Sequence, residues 1–126
     1  MRPVVIDTDV MVDFLRGHPS AIALMRKQMN RIILSSMVGA ELYAGARSDA
    51  ELSTLDSVLS FFQSIPVSPD IARAAGLYKR EYARSHGVGL VDAIVAATAN
   101  AENADLLTLN VRHYPMMKNL QPAYTK

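Results

Sequence analysis

The sequence predicts an α/β fold, a sandwich of helices around a short parallel sheet, and three observations predict it. Short β-branched runs recur at wide intervals. The segments between them carry apolar residues at steps of three and four. The order strand, helices, strand, helices, strand is the one that parallel strands with helical crossovers require. The chain has 126 residues, half of them hydrophobic and a fifth charged, which suits one folded unit over residues 1–126 with no internal boundary.

The elements follow in order. PVVID (Pro3 to Asp7), RIILS (Arg31 to Ser35) and ADLLTLN (Ala104 to Asn110) read as strands buried on both faces. Ala21, Leu24, Met25 and Gln28 share one helix face after the first strand. Leu52, Leu55, Leu59 and Phe62 form a second stripe on a helix read from Ala50 to Phe62, with Val58 and Phe61 facing elsewhere. That surplus apolar surface marks a groove for a partner helix, a dimer seam or packing under the next loop. Ser68, Pro69 and Asp70 supply an N-cap, a first-turn proline and an acid on the dipole for a helix that stops near Gly87. The helix from Val91 to about Ala101 is apolar on nearly every face and belongs inside, against the sheet.

Composition removes several chemistries. With no cysteine there are no disulfides, thiolate nucleophiles or zinc–sulfur sites, and a reducing, cytoplasmic setting is expected. No apolar run approaches the length of a membrane span, and the N-terminus MRPVVIDTD does not read as a signal peptide. Thirteen basic and twelve acidic side chains leave a net charge of +1, so a nucleic-acid partner needs a local basic patch. Arg16, Arg112 and His113 are the candidates, each shortly after a segment that frames the acids. Arg73, Arg80 and Arg84, with Lys79 beside them, share a helix face that reads more simply as solvated. His113 is a candidate proton shuttle or a hydrogen-bonded structural histidine.

The acids are informative through their neighbours. Asp7 and Asp9 stand where the first strand gives way to a helix, the carboxyl edge at which open α/β sheets bind ligands. Asp7 or Thr8 could equally cap that helix. Glu41 lies among small and apolar residues in SSMVGAELYAGA, with Gly39 and Gly45 leaving space along its face. Asp92 opens the apolar LVDAIVAATANA, where burial of a carboxylate is costly without a partner. Asn110 ends the last strand and adds another oxygen at the same edge, while Thr108 is placed to hydrogen-bond a carboxylate. Clustered carboxylates repel unless a cation joins them. Hard oxygen donors point to Mg²⁺ or Mn²⁺, and such a site suits phosphodiester hydrolysis.

Four blocks, VVIDTDVMVDFLRG, SSMVGAELYAG, VDAIVAATA and LLTLNVRHY, in this order and spacing, resemble the PIN-domain ribonucleases of the VapC-like toxin kind over essentially the whole chain. The resemblance implies a three-layer α/β/α sandwich and an Mg²⁺- or Mn²⁺-dependent endoribonuclease. It implies Asp7 and Asp92 as metal ligands and Glu41 as the remaining core acid. It also implies a cognate antitoxin and a homodimer. Asn110 falls where the family often has Asp, which favours one tightly held metal over two. Asp9 stands where Ser or Asn is frequent and adds charge that partly compensates. Tyr114 takes the place of a common Phe, a change expected to matter little. Met116 and Met117 read as apolar filler.

Two other readings remain open at this point. Asp7-Thr8-Asp9 also matches the strand-end pair of haloacid-dehalogenase-like phosphohydrolases, with Asp7 as nucleophile, Asp9 as acid/base and Ser35 or Ser36 as the later hydroxyl. That family's later Lys and paired acids are not apparent. A non-catalytic RNA- or protein-binding module would keep the fold without turnover, and Asn110 keeps that reading alive. A receiver domain needs a phosphorylatable Asp after a third strand, whereas Asp56 sits mid-helix.

Overall fold

The structure is a computed structural model describing residues 2–126. Four parallel strands form one sheet in the order β3-β2-β1-β4, with β1 Val4–Ile6, β2 Ile32–Ser35, β3 Gln63–Ile65 and β4 Asp105–Leu107. Consecutive strand residues point to opposite faces. Val4, Val5 and Ile6 are all buried, as are all four residues of β2, so helices must cover both faces of the sheet. The result is the three-layer α/β/α sandwich.

Helices α1 (Thr8–Leu15) and α2 (Pro19–Gln28) connect β1 to β2, and α3 (Ser36–Ala44) and α4 (Asp49–Leu59) connect β2 to β3. Helices α5 (Pro69–His86) and α6 (Leu90–Ala101) carry the chain back across the sheet to β4. The caps follow from the sequence. Ser68 accepts a hydrogen bond from the Ile71 N–H at the start of α5, and Gly87 closes that helix at φ +64°. That left-handed conformation is one that favours glycine. Helix α6 packs against β1, β2 and β4, and every residue from Ala93 to Ala99 is buried.

Two expectations need correction. The third strand in sequence, β3, lies at one edge of the sheet and QSI does not predict it, because an edge strand paired only with β2 leaves Gln63 and Ser64 exposed and buries only Ile65. The helix read from Ala50 to Phe62 runs instead from Asp49 to Leu59, capped by Ser48 and ended at Ser60. Only Leu55 of the expected stripe is buried. Leu52 is exposed, and Leu59 and Phe62 are partly buried. Val58 packs on the core after all, while Phe61, in the turn past the helix, is 81% exposed.

Candidate active site

The carboxyl edge of the sheet gathers the acids because each follows a buried strand or opens a helix beside one. The Asp7 N–H donates to the Leu107 carbonyl at 3.0 Å, continuing the β1–β4 ladder by one residue and fixing Asp7 at the edge. Asp7 is also the N-cap of α1, and its Oδ1 accepts from the Thr8 N–H at 2.8 Å. The capping role and a place in the site are therefore held by one side chain. Its Oδ2 accepts from the Thr108 hydroxyl and the Tyr114 hydroxyl, both at 2.8 Å. Thr108 is positioned in turn by the Asn110 N–H, which donates to Thr108 Oγ1 at 3.1 Å.

Asp9, in the first turn of α1, accepts from the Val10 N–H at 2.8 Å and the Leu109 N–H at 2.9 Å. Burial and repulsion by Asp7 push its carboxyl above the usual range against those donors. Asp92, in the first turn of α6, is likewise raised by burial and by repulsion from Asp7, with Glu41 adding to it. The larger opposing influence is the imidazole of His113, whose Nδ1 lies 3.4 Å from Asp92 Oδ2, followed by a backbone N–H bond from Gly89. Glu41 is exposed on α3 and its Oε1 accepts from the Thr8 hydroxyl at 2.5 Å. A Cβ on Gly39 would meet open space, and Gly45 ends α3.

Other expected residues lie around this core. Asn110 is exposed at the start of a short 3-10 helix, Val111–His113, and contributes its backbone to Thr108. Arg16, exposed at the end of α1, lines a groove of about 420 Å³ with Glu41, Arg47 and Glu51 over a floor that includes Val12, Leu42 and Leu55. Arg112 is exposed in the 3-10 helix, and Arg73, Lys79, Arg80 and Arg84 are exposed along α5. Met116 and Met117 are partly buried against the core.

The expectation that Tyr in place of Phe at 114 changes little is not what the geometry shows. Tyr114 is 1% exposed and its hydroxyl ends on the Asp7 carboxylate. Burial and the neighbouring acids push that phenol far above its usual range, so it serves there as a donor. Sequence reasoning also passed over Asp13, buried near the end of α1. The Tyr124 hydroxyl donates to its Oδ2 at 2.6 Å and Lys126 Nζ lies 3.0 Å from its Oδ1. The signal was present, since Asp13 interrupts VMVDFL much as Asp92 interrupts LVDAIV.

The donor set fits a hard divalent cation in its chemistry: carboxylate oxygens, with Asp7 raising the pKa of both Asp9 and Asp92. Among the described residues no three acidic or histidine side chains form a ready-made cage. Mg²⁺ does not require one, because it is commonly held by one or two carboxylates with water and phosphate completing the shell. Asp7 and Asp92 are the pair that would hold it, with Glu41 beyond them.

A short parallel sheet whose carboxyl edge collects Asp7, Glu41 and Asp92 from three separate elements defines a PIN-domain protein, and the chain belongs to that family, whose model matches residues 4–116. Within it the chain falls among VapC proteins. It is 46% identical over 123 residues to Ribonuclease VapC19 of Mycobacterium tuberculosis, an alignment covering 94% of this chain and 98% of that protein. Among solved structures, VapBC2 from Rickettsia felis, bound to a DNA fragment from its promoter, is 28% identical with a TM-score of 0.74, covering 93% of this chain and 94% of that one. A toxin–antitoxin complex from Klebsiella pneumoniae shares the fold with a TM-score of 0.83 at 24% identity, covering 96% and 98%. These likenesses do not favour the haloacid-dehalogenase reading. In that reading Asp9 would need a free carboxyl, but both of its oxygens accept backbone N–H bonds.

Proposed function

We propose that this chain is a metal-dependent endoribonuclease, the toxin of a toxin–antitoxin pair, acting in the cytoplasm. The observation that carries the proposal is the crowding of Asp9 and Asp92 around the Asp7 charge at the sheet edge, opposed among the described residues only by backbone N–H groups, hydroxyls and His113. Membership of the PIN family and the names of the VapC relatives support RNA as the substrate and hydrolysis as the reaction.

A bound Mg²⁺ or Mn²⁺ would polarise a phosphate oxygen and acidify a water. The chain's own groups set the stage for that chemistry. Thr108 and Tyr114 hold the Asp7 carboxylate in one orientation, and Thr8 turns Glu41 toward the same edge through Oε1. Glu41 Oε2, without a partner among the described residues, is placed to accept a proton from an attacking water. His113 Nδ1 lies 3.4 Å from Asp92 Oδ2, on the flank of the site. Arg16, which shares a groove with Glu41, and Arg112, exposed in the 3-10 helix after Asn110, would bind RNA phosphates.

The antitoxin partner is supported by structural neighbours that are themselves toxin–antitoxin complexes. Homodimerisation is part of the same reading, and exposed Phe61 is its nearest handle. Phe61→Asp is expected to give a folded protein with weaker self-association or antitoxin binding. Unchanged mass by light scattering together with unchanged antitoxin affinity would count against that surface.

The direct test is cleavage of a mixed RNA pool by the purified chain with Mg²⁺, Mn²⁺ or EDTA, beside Asp92→Asn. Cleavage that requires metal and disappears in the variant is the expected result. Binding of RNA without cleavage by either protein would instead identify a non-catalytic module.

A further inference from the structure

Asp7 is tied down more completely than a ligand needs merely to be present. A carboxylate has about four lone-pair positions, two on each oxygen. Three of them are taken inside this chain: one on Oδ1 by the Thr8 N–H, and both on Oδ2 by the hydroxyls of Thr108 and Tyr114. The Thr108 proton goes to Asp7 at 2.8 Å in preference to Asp9 at 3.4 Å, since a hydroxyl has one proton to give. Among the described residues the Tyr114 hydroxyl has no other polar partner, and its ring is locked in the core. One lone pair, on Oδ1, is left for anything outside.

We propose that Tyr114 is a positioning residue that makes Asp7 a one-point ligand through Oδ1, and so biases the site toward a small octahedral cation. The inference rests on the metal-dependent reading above and concerns which ion the site selects. Mg²⁺ demands near-ideal octahedral geometry, which single-oxygen carboxylate ligation serves. Ca²⁺ accepts six to eight oxygens and readily takes a carboxylate through both of them. With Phe at 114, Oδ2 would regain a lone pair and the carboxylate a degree of rotation. Asp7 could then present both oxygens. Partners that orient a ligand in this way commonly change metal affinity by about 10-fold or more when removed.

The experiment is calorimetric titration of the metal-free full chain with MgCl₂ and with CaCl₂, for wild type and Tyr114→Phe, beside a thermal melt without metal. The expected result is Mg²⁺ affinity about 10-fold weaker in Tyr114→Phe, with Ca²⁺ affinity changed much less. Thr108→Val, which removes the other donor to Oδ2, should shift the preference the same way and serves if the first variant does not fold. A purely structural role for Tyr114 would lower the melting temperature and leave the Mg²⁺-to-Ca²⁺ ratio where it was, which would overturn the proposal. Equal weakening for both ions would overturn it too. If the wild type binds neither ion, the metal-dependent reading falls and this inference falls with it.

Discussion

Asp9 and Asp13 are one helical turn apart on α1, both drawn in from solvent, and their environments have opposite effects on them. Asp13 is held below its ordinary pKa, chiefly by the Tyr124 hydroxyl and then by Lys126, which together outweigh burial. Asp9 is held above it, because burial and the Asp7 charge outweigh its backbone donors. Among the described residues a cation lies against Asp13 and none against Asp9. Among the described residues no Lys or Arg lies within ion-pair distance of Asp7, Asp9, Glu41 or Asp92. One end of the helix is electrostatically closed and the other is left open, and the open end is where an outside cation has something to gain.

The strongest way to break this comparison is to neutralise one acid from each region. Asp92→Asn is expected to reduce RNA cleavage by about 100-fold or more, since loss of the proposed metal ligand should exceed loss of a supporting partner. The metal-free melting temperature should hold or rise, because repulsion with Asp7 is relieved. Asp13→Asn should do the reverse, lowering stability while the folded fraction keeps its specific activity. Cleavage assays and melts of both variants decide it. If Asp13→Asn proved the catalytically damaging change, the division between the two ends would be wrong.

A finer cut is Tyr124→Phe, which removes the hydroxyl on Asp13 and keeps the ring that stacks on His18 at 5.5 Å. A hydrogen bond to a charged, shielded acceptor is worth about 2 kcal/mol. Urea denaturation should show a loss of that order, with cleavage unaffected. A loss below about 0.5 kcal/mol, within the range of ordinary surface changes, would mean that water already satisfies Asp13.

Much of the architecture was legible because it depends on burial, which local sequence records. β1, β2 and β4 announced themselves as apolar runs, and Ser68-Pro69-Asp70 announced α5. β3 did not, because an edge strand half open to water has no apolar signature. Asp7, Glu41 and Asp92 could be picked out singly, as acids in apolar or strand-end settings. What escaped was their support. Tyr114 reaches Asp7 from 107 positions away, and Tyr124 reaches Asp13 from 111. A hydroxyl that looks like a conservative addition to Phe acquires meaning only when the fold brings a carboxylate to it. Local patterning does not encode such meetings.

Acid titration sharpens the comparison, because the two regions carry opposite signs. Asp13 has a folded pKa below its unfolded value near 3.8, so it contributes stability above that value and loses it as pH falls through the folded pKa. Asp9 and Asp92 have folded pKa values above 3.8, so their ionisation costs stability as pH rises from that value through the raised ones. Metal-free wild type should therefore show partly cancelling slopes. In Asp13→Asn the acid-side loss should shrink, leaving stability that declines as pH rises from about 4. In Asp92→Asn that decline should flatten. Melts across pH 3–7 that are superimposable for all three proteins would remove the basis of the contrast.

The smallest effect is expected at Lys126, and its smallness is informative. Its ammonium lies 3.0 Å from Asp13 Oδ1, but its side chain is 54% exposed, so solvent screens the pair and a flexible stem must be ordered to form it. Lys126→Ala should cost less than about 1 kcal/mol, and added salt, by weakening the pair in the wild type, should remove most of that difference. Tyr124→Phe, whose bond is short and turned inward, should respond far less to salt. If Lys126→Ala instead cost as much as Tyr124→Phe and ignored salt, the closure of Asp13 would be mainly ionic. The contrast with the site would then lie in charge balance alone, and the hydroxyl bond would have no separate part in it.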